Sequence, residues 1–326
     1  MAELFLEAQE RRDWFEKVFG FEEPEDFQAV RGLFQVVGKG NDTTLITKPP
    51  GGPPRKFHVG RFETPTLAEL RGRLLQQEDF QEDFQDQGRL HFTHVVGNIV
   101  DVHKSPKFAN AVIQAASQFN CLEMPNPYVT PEEGITGYFA DETQGPMCAM
   151  MCPGGTLFRN YFVNGVGQTQ HNQLDMLTDV QEVLTPVEGG SPYWFMQNGY
   201  CFPWGAQEME ELNDRLLVER GLAEKAGSAL RVGVHWDTEV KGKHRVCQVY
   251  SAALPIAYAR RNVRQMMEPL ADIVLCATYE ATFAVAALLA KQRGVRVKLV
   301  VTFFCVLMLL YFFFENFVQV FFLPCS

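Results

Sequence analysis

The sequence has no excess of basic residues: 29 Lys and Arg stand against 39 Asp and Glu, and the formal net charge is −10. A protein that tracks the phosphate backbone of nucleic acid needs clustered Lys and Arg to release counterions, so we exclude that as the main function. The chain also lacks an N-terminal apolar segment of the signal-peptide type, and its eight cysteines follow no pairing motif. Both absences favour a reducing, cytoplasmic compartment.

What is present is typical of a globular protein. The chain has 326 residues, of which 46% are hydrophobic and 21% charged, which is enough to bury a large core. The fold prediction depends most on residues 91–124. The run 91–100 is rich in β-branched residues and predicts a strand. Ser105-Pro106 predicts a helix start, and Phe108, Val112 and Ala115 follow at helical spacing. With a third element at 119–124, the pattern predicts a βαβ crossover.

Two short motifs carry a family resemblance. Gly97-Asn98-Ile99-Val100 looks like the Gly-Asp-Ile-Thr signature of macrodomains, with Asn98 standing where the family usually has Asp. Asn198-Gly199-Tyr200-Cys201-Phe202-Pro203 resembles the family's Gly-Tyr-x-Leu-Pro segment. The resemblance implies an α/β fold over residues 89–301, with a mixed central sheet flanked by helices. Macrodomains bind ADP-ribose, and some of them hydrolyse ADP-ribosyl bonds.

The resemblance also implies roles for particular residues. Asn98 would meet the adenine amine, and Asn120 with its neighbour Gln118 would meet the distal ribose. Water would attack the anomeric carbon with Asp141 or Glu142 as general base, so the chain would be an ADP-ribosyl glycohydrolase-type enzyme if it turns over. The mechanism would need neither a metal nor another cofactor.

Residues 125–155 form a section punctuated by proline and glycine, and long irregular loops in compact domains are usually functional. Asp141 to Gly145 offers two carboxylates and an amide ahead of a predicted helix. Cys152-Pro153-Gly154-Gly155-Thr156 predicts a glycine turn whose N–H groups face an anion. We therefore add four residues to the predicted ligand site: Gln144, Gly145, Gly154 and Gly155. The alternative is that these glycines and prolines only shape turns.

Residues 1–88 are predicted to be an α+β extension packed on that domain. A helix at 3–19 ends at Gly20, and two β-prone runs at 33–37 and 43–47 predict a hairpin followed by a loop at 48–55. Thr66 and Glu69 form a capping box that starts a helix at Leu67. The repeat at 77–84 places two phenylalanines on one helix face; an acidic docking patch is the alternative to a docked helix end.

Later elements follow from periodicity. We predict helices at 172–184, 208–224 and 266–291, and strands at 193–202, 230–240, 244–256 and 297–301. On the strand 230–240, period-two alternation places His235, Asp237 and Glu239 on one face, with His244 across a turn. A metal site is one hypothesis, but side chains two apart on a strand diverge, and we favour a polar face without metal.

Residues 302–326 form an apolar tail. Sixteen residues without a charge run from Leu299 to Phe314, and eight of the 27 phenylalanines lie between Leu299 and Ser326. One interpretation is a C-terminal membrane anchor flanked by Arg293, Arg296 and Lys298, although a bilayer span needs ~20 residues. The other is a translated pyrimidine tract. The glycine-rich phosphate loop expected after such a strand in a macrodomain is absent.

Three functions of different classes remain open. The first is binding of ADP-ribose or a related nucleotide, with hydrolysis as its extension. The second is a tail-anchored interaction protein without catalysis, in contact with a membrane through Leu299–Phe314. The third is a cysteine hydrolase that pairs Cys121, Cys148 or Cys152 with His103 or His171; buried, inert thiols are the commoner case.

Overall fold

A computed structural model describes residues 13–76, 91–95, 98–140, 145–186, 190–252, 262–293 and 297–302. The N-terminal part begins with two short helices, α1 (Trp14–Phe19) and α2 (Phe27–Gly32), and a three-stranded sheet: β1 (Phe34–Val37), β2 (Thr44–Thr47) and β3 (Lys56–His58). Helix α1 ends at Gly20, whose φ of 91° is the left-handed conformation predicted for it. The predicted helix residues before Asp13 lie outside the described residues.

The predicted hairpin is confirmed. Strands β1 and β2 pair in antiparallel fashion, with Phe34 opposite Thr47 and Val37 opposite Thr44. The loop at 48–55 is also confirmed: it holds no helix or strand, and Thr47 fixes its end, because the Thr47 hydroxyl accepts a 2.8 Å hydrogen bond from the Arg55 N–H. Proline cannot donate a backbone hydrogen bond, which keeps this segment out of the sheet.

The predicted capping box starts helix α3 (Leu67–Leu75). The Thr66 hydroxyl accepts from the Glu69 N–H at 3.1 Å, and the Glu69 carboxylate accepts from the Thr66 N–H at 2.8 Å. Two N–H groups without a helical partner are thereby satisfied. The repeat at 77–84 lies outside the described residues.

A six-stranded mixed sheet forms the centre of the molecule. Its strands are β4 (Arg61–Glu63), β5 (His91–Val95), β6 (Val112–Ser117), β9 (Gly233–Val240), β10 (His244–Ala252) and β11 (Lys298–Thr302). Their order is β4-β9-β10-β6-β11-β5. Strands β10, β6, β11 and β5 are parallel, whereas β9 is antiparallel to both of its neighbours. The predicted α/β class with a mixed sheet is confirmed.

The stretch 91–124 differs from its prediction. Strand β5 ends at Val95, helix α4 (Ile99–Lys104) follows, and the segment predicted as helix becomes strand β6. The predicted third element at 119–124 is a buried turn. The helical interpretation of Val112 and Ala115 is wrong because β6 lies between two parallel neighbours. Such a strand is apolar on both faces and has no alternation to distinguish it from a helix.

The section 125–155 contains more regular structure than predicted. Helix α5 (Gly145–Met151) is followed directly by helix α6 (Pro153–Tyr161). Pro153 occupies the first turn of α6, where its missing N–H costs nothing. The predicted glycine turn is therefore wrong: Gly154 and Gly155 are helical, and a Cβ on either would come within 2.8 Å of Phe57 or His235.

The predicted strand 193–202 is a hairpin. Strands β7 (Trp194–Gln197) and β8 (Tyr200–Pro203) form a separate two-stranded sheet. Asn198 and Gly199 connect them with φ values of 46° and 79°. Asn-Gly is the preferred pair for such a turn because both positions need positive φ. The Asn-Gly pair is therefore a local sequence signal for a hairpin rather than one continuous strand.

The predicted helix 172–184 is shorter, and the predicted helix 208–224 is two helices. Helix α7 spans Thr178–Leu184, and α8 (Ala206–Val218) is separated from α9 (Leu222–Ala229) near Gly221, whose φ is 82°. The break follows because an α-helix cannot continue through a left-handed residue.

The predicted long helix is confirmed as α10 (Asn262–Arg293). It contacts the strands β6, β10 and β11 and the helices α3, α8 and α9. Its part Leu270–Gln292 is long and apolar enough to cross a membrane, with a mean hydropathy of 1.9, and 72% of the tested window is buried. Length and composition alone do not separate an anchor from a core helix, and the contacts of α10 are those of a core helix.

The six-stranded sheet contains strands from both sides of the domain boundary predicted at residue 88. Strand β4 pairs with β9, and α3 packs against α10. The boundary stays a prediction. The predicted strand 297–301 is confirmed as β11, and the tail after Thr302 lies outside the described residues.

Candidate functional site

The carboxyl ends of the parallel strands β5, β6, β10 and β11 lie at one edge of the sheet, which we call the carboxyl edge. Open α/β sheets hold ligands outside this edge. Asn98 follows β5 by three residues, Gln118 follows β6 directly, and Asn120 comes three residues after the end of β6. The structure therefore brings these three predicted residues to the same edge.

Asn98 is the N-cap of α4. Its Oδ1 accepts a hydrogen bond of 2.9 Å from the Val100 N–H, and its backbone is extended. The predicted strand does not reach this residue; it starts a helix instead. The oxygen that the resemblance assigns to adenine therefore already has a structural role.

Gln118 and Asn120 hold the chain that follows β6. Gln118 forms two hydrogen bonds with the backbone of Met124: its Oε1 accepts from N–H at 3.0 Å and its Nε2 donates to the carbonyl at 3.2 Å. Asn120 accepts from the Leu122 N–H at 3.0 Å and donates to Gln173 Oε1 at 2.9 Å. Both side chains are buried, so they fix the shape of this segment.

We call residues 118–124 the central turn. All seven residues are buried, although a loop normally lies on the surface because its backbone needs hydrogen-bond partners. Its partners include the Gly199 carbonyl, which accepts from the Phe119 N–H at 2.9 Å. Cys121 has a φ of 60°, a conformation that costs energy for a residue with a side chain. No local sequence pattern predicts so tight a turn.

Glu123 is the charged residue of the central turn and is only 2% exposed. Its carboxylate packs against Gly145, the first residue of α5, where any side chain would collide with it. Tyr138 is also buried, within electrostatic range of Glu123 and Arg159. Burial raises the pKa of Tyr138, so its hydroxyl stays neutral. The sequence interpretation missed Glu123, because a single Glu in an apolar run has no motif.

Arg159, on α6, is the second buried charge and is 1% exposed. Its Nε donates to the Cys121 carbonyl at 3.0 Å and Nη2 donates to the Thr156 hydroxyl at 3.3 Å. Nη1 lies 3.3 Å from His235 Nδ1, and the guanidinium carbon lies 4.0 Å from the centre of the Tyr250 ring. These uncharged partners offset part of the cost of burying a cation. Arg159 thus ties α6 to the central turn.

A polar chain continues from Tyr250 through the sheet. The Tyr250 hydroxyl donates to Gln248 Oε1, and Gln248 Nε2 lies 2.9 Å from His103 Nε2. His103 Nδ1 lies 2.9 Å from the Ile99 carbonyl, so Nδ1 carries the proton. Burial lowers the pKa of His103 to about 4, which keeps this imidazole neutral at physiological pH.

The thiols of the cysteine-hydrolase hypothesis are buried. Burial raises the pKa of Cys121 to about 12, and it also raises the pKa of Cys152. A thiol with a raised pKa is a poor nucleophile at neutral pH. Both ring nitrogens of His103 contact Ile99 and Gln248, and His171 is exposed. This geometry does not favour the hypothesis.

A β-bulge separates the residues of the metal hypothesis. His235 opposes Gln248 and Thr238 opposes Val246, so the ladder shifts at Asp237, whose φ is 62°. His235 and Thr238 both face Gly155. Asp237 and Glu239 instead contact His58, at 3.7 Å from its Nε2 and 3.4 Å from its backbone N. Within the described ranges, no group of three potential metal ligands occurs.

The remaining predicted residues divide into two groups. Gly145 lies beside Glu123, whereas Gly154 and Gly155 pack against Phe57 and His235. Asp141, Glu142 and Gln144 lie outside the described residues. A surface groove of about 530 Å³ is lined by α8 and Glu219 and includes none of the predicted residues.

No family model, curated protein or solved structure matches this chain. The mixed α/β class is thus what the structure shows, and the resemblance to macrodomains stays a prediction.

Proposed function

We propose that this protein binds a nucleotide of the ADP-ribose type at the carboxyl edge. The observation that carries the proposal is the central turn. It places an amide, a second amide and a carboxylate, from Gln118, Asn120 and Glu123, in a buried segment directly after a parallel strand. Sites of this architecture use a few fixed polar groups of this kind to orient a ligand.

The adenine part of the proposal depends on Asn98. Its Oδ1 accepts the Val100 N–H that caps α4. A carbonyl oxygen can accept more than one hydrogen bond, so an adenine amine would share this oxygen with the cap. The neutral amide supplies a weaker acceptor than the Asp that is usual in macrodomains.

Hydrolysis is the extension of the proposal. It requires a carboxylate within hydrogen-bond reach of the attacking water, the role assigned to Asp141 or Glu142. Both residues precede Gly145, which packs against Glu123. The tail-anchored alternative concerns Leu299–Phe314, of which the structure describes only the residues up to Thr302, in β11, and it stays a prediction.

Thermal shift and calorimetric titration of the full chain with ADP-ribose, ADP and ribose 5-phosphate test the proposal. At 100 times the dissociation constant, a ligand adds about 2.7 kcal/mol of stability, which raises Tm by several degrees. We expect this with ADP-ribose and a smaller effect with either fragment. No stabilisation and no heat at millimolar ADP-ribose would reject the proposal.

A further inference from the structure

A carboxylate from the N-terminal part holds a loop of the α/β domain. Glu23 accepts hydrogen bonds from the Ile135 N–H at 3.0 Å, the Thr136 N–H at 2.6 Å and the Tyr161 hydroxyl at 2.7 Å. Gly134 has a φ of 85°, and a Cβ on it would lie 2.7 Å from the same carboxylate. Glu23 therefore fits closely onto residues 134–136, more than a hundred positions away in sequence.

Trp14 holds the same residues from the other side of the backbone. Its indole Nε1 donates to the Thr136 carbonyl at 3.1 Å, and its ring is 3% exposed. The ring packs against Phe15 and Phe19, with centroids 5.9 and 6.4 Å away. Both backbone groups of Thr136 are thus bound by the N-terminal part, which substitutes for the partners that a strand would supply.

The loop that is held in this way leads to the central turn. Tyr138, two residues after Thr136, is 1% exposed and lies within electrostatic range of Glu123. Tyr161, the third partner of Glu23, ends the helix whose Arg159 binds the Cys121 carbonyl. Two sets of contacts therefore connect Glu23 to the surroundings of Glu123. One passes through Tyr138, and the other passes through α6 to Cys121.

We propose that Glu23 and Trp14 are positioning residues of the nucleotide site. They fix the backbone of residues 134–136 and thereby the packing of Tyr138 beside the central turn. This inference rests on the proposed function, since it assigns the N-terminal part a role at that same site. Glu23 accepts three hydrogen bonds and Trp14 donates one, which makes Glu23 the more extensive of the two contacts.

The test compares Glu23→Gln with Glu69→Gln in the full chain. Both glutamates accept backbone N–H groups, but Glu69 does so in the capping box of α3. We expect Glu23→Gln to accelerate amide hydrogen exchange at residues 135–138 about tenfold and to weaken ADP-ribose binding by a similar factor, because the amide presents an N–H to backbone donors. Glu69→Gln should change neither quantity.

Trp14→Phe supplies a second variant, which removes the indole N–H and keeps an aromatic ring. It should accelerate exchange at the same residues by a smaller factor, and it decides the outcome if Glu23→Gln does not fold. Unchanged exchange in the folded variant overturns the positioning role. So does faster exchange with unaltered ADP-ribose affinity. If the wild type does not bind ADP-ribose, the proposed function is rejected, and the positioning role is rejected with it. This holds even if faster amide exchange in the variants shows that the contacts hold the loop.

Discussion

The predicted ligand-binding side chains at the carboxyl edge already make structural hydrogen bonds, so a ligand would have to bind to groups that also hold the fold. Asn98 caps a helix, Gln118 binds Met124, and Asn120 links the central turn to Gln173. The sequence predicts the strand before Asn98, but it predicts a helix where β6 precedes Gln118. Asn98 and Gln118 bind near neighbours in sequence, whereas Asn120 also binds Gln173, which no local pattern indicates. The buried charges of Glu123 and Arg159 were missed because neither residue belongs to a motif.

Asn98→Asp separates the cap from the ligand contact. Asp caps helices about as well as Asn, so Tm should not fall. The added charge should strengthen the contact to an adenine amine, and titration calorimetry should show tighter binding of ADP-ribose with little change for ribose 5-phosphate.

Alanine variants of the two asparagines test the same assignment in the opposite direction. Asn98→Ala and Asn120→Ala should each weaken ADP-ribose binding by ~1–3 kcal/mol, measured by calorimetry below the Tm of each variant. Affinity that is unchanged in both variants would remove both residues from the proposed site.

His103 should make stability depend on acid pH. Its pKa is lowered from 6.5 to about 4 in the folded state, so the unfolded chain binds the proton more readily. The stabilisation is complete above pH 6.5 and is lost as pH falls towards 4, by roughly 3 kcal/mol. Denaturant titrations at several pH values should show that the free energy of unfolding depends less steeply on pH in His103→Gln than in the wild type. Equal slopes in the two proteins would contradict this.

Elements were predictable where a local signal defines them. The capping box at Thr66, the left-handed Gly20 and the β1–β2 hairpin depend on neighbouring residues. Strand β6 and the bulge in β9 depend on the strands beside them, which no local pattern contains. The two glycines of α6 illustrate this limit. They predicted a turn in sequence, yet they allow a helix to approach the sheet closely.

Gly155→Ala should therefore destabilise the protein although it lies in a helix. The new Cβ would lie 2.8 Å from His235 Cε1 and 2.9 Å from Thr238 Oγ1, so we expect a loss of ~1–3 kcal/mol in the free energy of unfolding. The matched control is Gly72→Ala in α3, where no atom lies within 4 Å of the added Cβ. That change should stabilise by ~0.5–1 kcal/mol. Similar Tm shifts for both variants would show that the contact at α6 is relaxed.

At the scale of the whole molecule, the N-terminal part and the α/β domain share one sheet. Strand β4 pairs with β9, and α3 packs on α10. A fragment of residues 89–326 should therefore fail to form the native state. Near-ultraviolet circular dichroism should lack tertiary signal, whereas a cooperative unfolding transition would show that the domain boundary predicted at residue 88 is real.

Removal of the tail after Thr302, unlike removal of residues 1–88, should leave the native state intact. Strand β11 completes its pairing with β5 at Thr302, opposite Val95, so the described sheet needs no later residue. Deleting residues 303–326 should leave Tm unchanged and raise soluble yield, because bulky apolar residues outside a core expose surface that favours association. Buried tail residues would instead lower Tm on deletion, by ~2–4 °C per kcal/mol lost. Alkaline washing of membrane fractions from cells that express both versions then tests the anchor: retention of the full chain alone would assign the tail to a membrane, and release of both would leave it no such role.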